Sequence, residues 1–313
     1  MSEQFITDEE PVWGAWQRFV QAALILFLLI AALVLAHDLL PQRAGELQQQ
    51  VRTLTEEVDQ LKQEQAMPSV VLNRYRNSIC YIFGIYQVGF WHQRPLQRTR
   101  ISGTGFVVAE GLIATNRHVA EPWYGDPDAD GLVAKGATPS LETLVAYFPG
   151  SPAPVSLTSA ALSRDGDLAV VRMNEQPAFE LQPVPLAAQK PNAGELVAVV
   201  GYPMGVLGMM AKAPTTVYAR LAFRRDDQGT AGELAALSLI RPSATCGHLG
   251  DVVGDKLIYD APTAHGASGG PVFNSHGEVI GVNAAYIDGF SGGTLGVSSQ
   301  ALKPLIAQAQ KKH

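Results

Sequence analysis

The stretch GASGGP at residues 266–271 places Ser268 between glycines and directly before the apolar pair Val272 and Phe273. A serine hydroxyl barely ionises near neutral pH. As a nucleophile it needs a base to take its proton and hydrogen-bond donors to hold the oxyanion that forms. The flanking glycines allow the backbone to turn tightly and to aim N–H groups at that charge. This stretch therefore predicts a nucleophilic hydrolase.

The composition is that of a folded protein with a sizeable core. The chain has 313 residues, a formal net charge of −6, 47% hydrophobic residues and 17% charged residues. Its length accommodates one large or two modest domains. The negative charge and the lack of a polybasic run argue against nucleic acid as a partner. We expect no cofactor.

We also expect no metal site. The sequence DPDADG at residues 126–131 matches the first half of a calcium-binding loop, but the acid expected at the twelfth position is Ala137. The match fails where coordination would close, so a solvated acidic loop is the better interpretation. The two cysteines, Cys80 and Cys246, lack metal-site spacing. They form either one disulfide, in an oxidising compartment, or two buried thiols, and the second reading is favoured.

The N-terminal region differs from the rest. Residues 19–36 are almost wholly apolar, and as a helix they rise about 27 Å, close to the thickness of a bilayer's hydrocarbon core. Trp13 and Trp16 lie where an interfacial aromatic belt belongs. A cleaved signal peptide is the alternative, but the acidic residues 8–10 precede the apolar run where signal peptides are basic. We expect an N-terminal tail at 1–18 and a transmembrane helix at 19–40. The distribution of arginines does not decide its orientation.

A heptad pattern follows at residues 41–67. Its spacings alternate between four and three residues, with valine at one core position and leucine at the other, at Leu47, Val51, Leu54, Val58 and Leu61. This pattern favours a parallel two-stranded coiled coil, although fewer than three heptads are marginal alone. We predict a short stalk through which chains self-associate. A solitary amphipathic helix lying on the globular domain is the alternative. Pro68 is expected to end the helix.

Residues 68–313 are predicted to form an all-β domain. Short apolar runs separated by Gly, Pro, Asn and Asp recur along this part of the chain, as in an antiparallel sandwich or barrel. These runs are 80–86, 104–108, 144–147, 168–173, 196–201, 257–259, 271–273 and 279–282. No long helical period appears until 300–310, which is expected to form a closing helix.

Three motifs occur in a recognisable order. SGTGF at 102–106 leads to ATNRHVA at 114–120; DLAVV at 167–171 follows; and the Ser268 motif precedes GEVIGVNAA at 277–285. The chain therefore resembles the trypsin-like serine proteases, most closely the HtrA/Deg branch, over roughly 102–305. His, Asp, Ser is the chain order of the chymotrypsin-type fold. The resemblance implies two six-stranded antiparallel β-barrels with the active site in the cleft between them. HtrA/Deg proteins typically carry a PDZ domain after the protease, and none is expected here.

The resemblance also implies the roles of the site residues. His118 would be the general base, Asp167 the carboxylate that orients it, and Ser268 the nucleophile. The N–H groups of Gly266 and Ser268 would form the oxyanion hole. Asp165 is a rival for the carboxylate, but Asp167 directly precedes the apolar run, where the family has its aspartate.

Position 267 departs from the family, because Ala267 stands where trypsins have aspartate and HtrA/Deg proteases usually have asparagine. Activation by an ion pair with a cleaved N-terminus is therefore not expected. One hypothesis is an oxyanion hole that assembles only on substrate or oligomer contact.

Strand 281–285 should pair with an extended substrate. The small side chains of that strand, together with Pro262 and Thr263, predict a modest apolar pocket for small or medium aliphatic residues before the cut. The alternative is that His265 lines the pocket and favours acidic residues before the cut.

The sequence thus predicts a membrane-anchored serine endopeptidase that cleaves extended or unfolded polypeptide on the non-cytoplasmic side. One alternative is a catalytically weak peptide-binding scaffold at the membrane. Another is a hydrolase of esters or amides that are not proteins. The segment 224–254, longer than in relatives, is expected to be a lid or a partner surface.

Overall fold

The computed structural model describes residues 12–91, 94–286 and 293–311. The elements of this part of the chain are, in order, α1 (Val12–Tyr75), a 3-10 turn (Arg76–Ser78), β1 (Ile79–Gly89), β2 (Gln97–Ala109), β3 (Leu112–Thr115), α2 (Arg117–Ala120), α3 (Pro127–Val133), β4 (Thr138–Tyr147), β5 (Val155–Leu162), β6 (Ala169–Met173), β7 (Leu196–Gly201), α4 (Gly205–Ala211), α5 (Thr215–Leu221), α6 (Asp227–Ala236), β8 (Ser243–Val253), β9 (Lys256–Tyr259), β10 (Pro271–Phe273), β11 (Val279–Tyr286), β12 (Thr294–Ser298) and α7 (Ser299–Lys311).

The strands form two closed six-stranded barrels, as predicted. The first has the order β1-β2-β3-β6-β5-β4 and the second β10-β11-β12-β9-β8-β7, with all neighbours antiparallel. Alternate residues of β1 pack into two different cores, because successive side chains of a strand point to opposite faces. Cys80 and Ile82 belong to the core inside the first barrel, whereas Tyr81 and Phe83 join the core shared with the second barrel. Helix α7 covers this shared core with Leu302, in agreement with the predicted closing helix.

A three-helix insertion lies between β7 and β8. Helices α4, α5 and α6 occupy a part of the chain in which the sequence shows no long helical period. Each of the three is 10 residues or shorter, too short for a helical period to stand out in the sequence. The insertion is anchored in the shared core by Leu221 and Leu234, which are both buried. The predicted lid segment 224–254 begins just before α6 and ends just after β8.

Helix α1 continues past Pro68, where the sequence predicted its end. Pro68 lacks the N–H of a helical hydrogen bond, but the helix runs on for seven residues to Tyr75. Met67, Val71 and Tyr75 lie one turn apart on the same face and are buried in the shared core. Tyr75 stacks on Phe273 of β10 at a ring separation of 5.5 Å. Packing of this face outweighs the proline's local preference.

The chain divides into two units after Gln63. In the first unit, Trp16–Leu35 is long and apolar enough to cross a membrane, by length and composition. The heptad residues from Leu47 to Leu61 are exposed in the single chain. Both the coiled coil and the boundaries at 18, 40 and 67 remain predictions. The predicted tail lies largely outside the described residues, and α1 already begins at Val12.

Candidate active site

His118 and Asp167 form a bidentate pair on the first barrel. The His118 Nδ1 atom lies 2.7 Å from Asp167 Oδ2, and the His118 backbone N–H donates to Oδ1 at 3.0 Å. Both side chains are partly exposed, at 29% and 27%. A carboxylate at Nδ1 holds the proton there and leaves Nε2 as the basic atom. The pair therefore fixes both the tautomer and the orientation of the imidazole.

The local chain path explains why these two side chains meet. Strand β3 pairs with β6, with Thr115 opposite Ala169, so the residues just after β3 lie beside those just before β6. Asn116, which begins the short helix α2, donates from Nδ2 to the carbonyl oxygen of Asp167 at 2.8 Å. The rival carboxylate, Asp165, is exposed in the preceding turn. The structure thus places Asp167, and not Asp165, against His118.

Ser268 lies against the same edge of the first barrel. The Thr104 N–H of β2 donates to the Ser268 carbonyl oxygen at 2.7 Å. Gly103, the neighbour of Thr104, packs so closely on Val119 that a Cβ atom there would come within 2.6 Å of its side chain. Ser268 and Val119, the residue after His118, therefore contact consecutive residues of one strand. The Ser268 hydroxyl donates to the Ala284 carbonyl oxygen at 3.0 Å.

Residues 265–270, here called the nucleophile loop, have four successive carbonyl groups with fixed partners. His265 accepts from the Met204 N–H at 2.6 Å, and Gly266 accepts from the Thr104 hydroxyl at 2.7 Å. Ala267 accepts from Asn283 Nδ2 at 3.0 Å and from the Gly270 N–H at 3.0 Å. The fourth is the Ser268 carbonyl bonded to Thr104. Hydrogen bonds thus set the orientation of each peptide plane around the serine.

The N–H groups of Gly266 and Ser268 donate to no atom in the part of the chain that the structure describes. A trans peptide directs its C=O and N–H groups in opposite directions, so the Gly266 N–H faces away from Met204. Gly266 has a φ of +90°, and a Cβ atom there would come within 2.6 Å of the Tyr202 carbonyl oxygen. Only glycine fits this conformation and this space. Two adjacent free donors beside a serine are suited to bind an oxyanion.

The backbone of β11 leaves an edge open next to Ser268. This strand pairs with β10 only as far as Val282, and Asn283 then bonds to Gly269 and Gly270 of the nucleophile loop. On the opposite edge, β11 pairs with β12 through Tyr286, with an irregularity between Asn283 and Ala285. From Ala284 on, the edge facing the loop has no strand partner among the described residues. Such an edge can accept an extended peptide.

Comparison with known proteins identifies the family. The family model described as a trypsin-like peptidase domain matches residues 103–282. The chain belongs to the trypsin-like peptidase family. Its relatives include the serine protease PepD of Mycobacterium tuberculosis, 30% identical over 197 residues, which are 62% of this chain and 35% of PepD. A probable periplasmic serine endoprotease, DegP-like, of Brucella suis is 28% identical over 226 residues, which are 71% of this chain and 34% of the relative.

The chain spans about a third of the length of these curated relatives. Among solved structures, the serine endoprotease from Yersinia pestis matches with a TM-score of 0.49 and 18% identity, covering 77% of this chain and 65% of that chain. The predicted resemblance to the trypsin-like, HtrA/Deg-like proteases is confirmed by the family match and by these relatives. The predicted fold class is confirmed by the two barrels.

Sequence reasoning missed two residues of this trypsin-like site. Thr104 and Asn283 both stood in quoted motifs, but neither was singled out as a partner of the nucleophile loop. The available signal was a polar side chain among glycines and apolar residues, within a strand predicted to be buried. Such a side chain needs a hydrogen-bond partner, and here both partners are loop carbonyls.

Other singled-out residues have structural partners. The Asp126 carboxylate begins helix α3 by accepting from the N–H groups of Asp128 and Ala129, and it also accepts from the Tyr86 hydroxyl. The acidic stretch 126–131 is therefore largely helical. Cys80 and Cys246 are free thiols, the first buried and the second exposed, so the one-disulfide alternative and the expectation of two buried thiols are both wrong. Cys246 lies on β8 opposite Ala198, away from Cys80.

Proposed function

We propose that this chain is a serine endopeptidase in which His118, Asp167 and Ser268 act as the catalytic triad. The observation that carries the proposal is the bidentate pairing of His118 with Asp167 on the first barrel, to which Ser268 is also bonded through the Thr104 N–H. Asp167 would fix the Nδ1 proton and stabilise the imidazolium that forms during the reaction. Membership of the trypsin-like peptidase family supports the same assignment.

In the proposed reaction the Ser268 hydroxyl leaves Ala284 and turns toward His118 Nε2. His118 takes the hydroxyl proton as Ser268 Oγ attacks the carbonyl carbon of the scissile bond, and then gives that proton to the leaving amine. A water molecule, deprotonated by His118, then attacks the acyl carbon of the acyl-enzyme, and Ser268 leaves with its proton restored by His118. The free N–H groups of Gly266 and Ser268 would bind the oxyanion in both halves of the reaction.

The proposed substrate is an extended stretch of polypeptide. Its backbone would add to the open edge of β11 from Ala284 on, a mode that requires an unfolded or exposed segment. The small side chains of Ala261, Pro262 and Thr263 precede the nucleophile loop, so we propose small or medium aliphatic residues before the cut. Cleavage of a peptide library measures this preference. A preference for acidic residues would instead assign the pocket to His265.

We further propose that helix α1 anchors the peptidase in a membrane through residues 19–40, with the peptidase on the non-cytoplasmic side. The apolar span Trp16–Leu35 supports anchoring, and the word "periplasmic" in the name of the DegP-like relative supports that side. The heptad pattern at 41–67 supports self-association through a coiled coil. Resistance of the protein to alkaline extraction from membranes tests the anchor. Protease protection on intact cells tests on which side of the membrane the peptidase lies. The mass of the full-length protein in detergent tests self-association.

Labelling by a fluorophosphonate tests the enzymatic proposal. This probe reacts quickly only with an activated serine, so wild type should label and Ser268→Ala should not. Absence of labelling in the folded wild type favours the alternative of a peptide-binding scaffold. Labelling without cleavage of any peptide in a library favours an esterase or amidase.

A further inference from the structure

Two buried polar side chains reach the nucleophile loop from outside it. Thr104, on β2 of the first barrel, and Asn283, on β11 of the second, are 0% and 1% exposed. Their hydrogen bonds to the loop end on the carbonyl oxygens of Gly266 and Ala267, the residues directly before Ser268. We call Thr104 and Asn283 the loop brace.

The hydrogen-bond directions in the loop brace are fixed by further partners. The Thr104 oxygen accepts from the Tyr202 N–H at 3.1 Å, so the hydroxyl proton is committed to Gly266. The Asn283 Oδ1 atom accepts from the Tyr259 hydroxyl at 2.7 Å, so the amide group is aimed at Ala267. Neither side chain can turn away without leaving a buried polar group unpaired, which is unfavourable.

These bonds determine where the oxyanion donors point. The Ser268 N–H belongs to the same peptide plane as the Ala267 carbonyl, which Asn283 holds. The next plane toward the N-terminus contains the Gly266 carbonyl, which Thr104 holds, and the Ala267 N–H, which donates to the Ala264 carbonyl; it adjoins the plane that carries the Gly266 N–H. Each brace residue therefore acts on a plane that carries, or adjoins, a proposed hole donor.

The loop offers no side chain of its own for this task at position 267. Ala267 is 3% exposed and packs against Gly201. Its methyl side chain has no charged or amide group that could hold the loop. The space beside it is filled by Thr104, whose Oγ1 would lie 2.9 Å from a Cβ atom on Gly201. In this chain the polar side chains that anchor the loop therefore lie on the two barrels.

We infer that Thr104 and Asn283 are positioning residues that hold the oxyanion hole preformed in place of a polar residue at 267. The inference rests on the proposed function, because it concerns the hole of that same site. It replaces the hypothesis of a hole that assembles only on substrate or oligomer contact.

Thr104→Val tests the inference, because valine keeps the shape of threonine and removes only the hydroxyl. Removing one hole donor outright typically costs about 100-fold to 1,000-fold in kcat. A displaced donor should cost less, about 10-fold to 100-fold in kcat, with KM changed less than about threefold. Thr104→Ser keeps the hydroxyl and should retain wild-type kcat. Asn283→Ala should reproduce the pattern of Thr104→Val from the other barrel.

Inhibitor binding separates hole geometry from general damage to the fold. A peptide aldehyde forms an oxyanion with the serine, whereas the matching peptide alcohol forms none. Thr104→Val should weaken binding of the aldehyde by the same factor by which it lowers kcat. It should leave the affinity for the alcohol unchanged. Thr230→Val is the matched control, because Thr230 is an equally buried threonine whose hydroxyl donates to the Asp226 carbonyl in helix α6. It should leave kcat and both inhibitors unchanged.

Two results would overturn the inference. One is a Thr104→Val protein whose kcat stays within about threefold of wild type. The other is an equal loss of aldehyde and alcohol binding. If Thr104→Val does not fold, Asn283→Ala decides by the same criteria. A folded wild type that neither labels nor cleaves would instead refute the proposed function, so the two failures are distinguishable.

Discussion

The Ser268 hydroxyl donates to the Ala284 carbonyl oxygen at 3.0 Å, and within the described residues it makes no hydrogen bond to His118. Ala284 falls in the irregularity of the β11–β12 pairing, at the point where the opposite edge of β11 becomes free. The same carbonyl oxygen is therefore an acceptor for the N–H of a peptide added to that edge. In the proposed binding mode, the substrate N–H and the Ser268 hydroxyl would compete for this one oxygen.

This competition predicts that substrate binding releases the hydroxyl toward His118. A peptide N-methylated at the amide that faces Ala284, the one before the scissile bond, cannot compete. We expect its kcat to fall about tenfold or more, the size of one lost hydrogen bond. The measurement is steady-state cleavage of the methylated and unmethylated peptides. Methylation two residues further from the cut, on the same edge, controls for general loss of pairing, and equal losses at both positions would refute the coupling.

Substitution within the proposed triad should affect turnover unequally. Ser268→Ala removes the nucleophile and should lower kcat about a million-fold, whereas loss of Asp167 should cost roughly ten-thousand-fold. Asp167→Asn is the sharper variant, because it keeps the shape and stabilises the wrong imidazole tautomer. Asp165→Asn, two residues away in the exposed turn, is the control and should retain wild-type kcat. Equal losses in the two aspartate variants would contradict the assignment of Asp167.

The contact between Tyr75 and Phe273 predicts that the end of helix α1 stabilises the peptidase unit. Tyr75→Ala removes a stacked, buried ring and should lower the free energy of unfolding by about 3 kcal/mol. Denaturant unfolding of the protein truncated to begin at Glu64 measures this effect. Asn73→Ala changes an exposed residue on the same turn and should cost less than about 0.5 kcal/mol. An unchanged free energy of unfolding in Tyr75→Ala would show that the end of helix α1 does not stabilise the barrels.

The two thiols should differ sharply in reactivity. Burial raises the pKa of the Cys80 thiol well above its usual value, and the thiolate is the reactive form. Cys246 is exposed. Iodoacetamide added to the native protein should therefore modify Cys246 alone, and Cys246→Ser should abolish labelling until denaturant is added. Mass spectrometry of the digested protein locates the adduct. Native labelling at Cys80 would contradict the placement of β1 inside the first barrel.

Asp126 predicts a local contribution to stability that depends on pH. The hydrogen bond from the Tyr86 hydroxyl, followed by the N–H groups of Asp128 and Ala129, lowers the pKa of Asp126, and burial with this same bond raises the pKa of Tyr86 to about 12. A lowered folded-state pKa stabilises the protein above the unfolded-state pKa of Asp. That contribution is lost as the pH falls through the folded value.

Asp126→Ala should accordingly cost about 1 kcal/mol near pH 7, the usual cost of losing a helix N-cap. Asp126→Asn keeps a capping side chain and should cost less. The difference between wild type and Asp126→Asn should shrink as the pH is lowered from 6 toward 3, as measured by unfolding at each pH. A difference that grows on acidification would contradict the assigned direction.

The sequence was sufficient for features that rest on local patterns. Short apolar runs separated by turn-forming residues predicted most of the strands, and three spaced motifs predicted that His118 and Asp167 would meet. Features that depend on tertiary contact were not predictable in this way. Pro68 lies within a helix because Met67, Val71 and Tyr75 are buried. The hydrogen bond from Thr104 to Gly266 joins residues 162 positions apart, a pairing for which no local signal exists.

The hydrogen bond from Thr104 to Gly266 has a consequence for the order of events during biosynthesis. The histidine, the aspartate and Thr104 belong to the half of the peptidase unit that a ribosome makes first, whereas Asn283 and Ala284 are among the last strand residues to be made. A nascent chain that has folded only its first barrel holds no nucleophile. One that has reached Ser268 still lacks Asn283. The proposed triad and its oxyanion hole are therefore complete only after the strands of both barrels have been made.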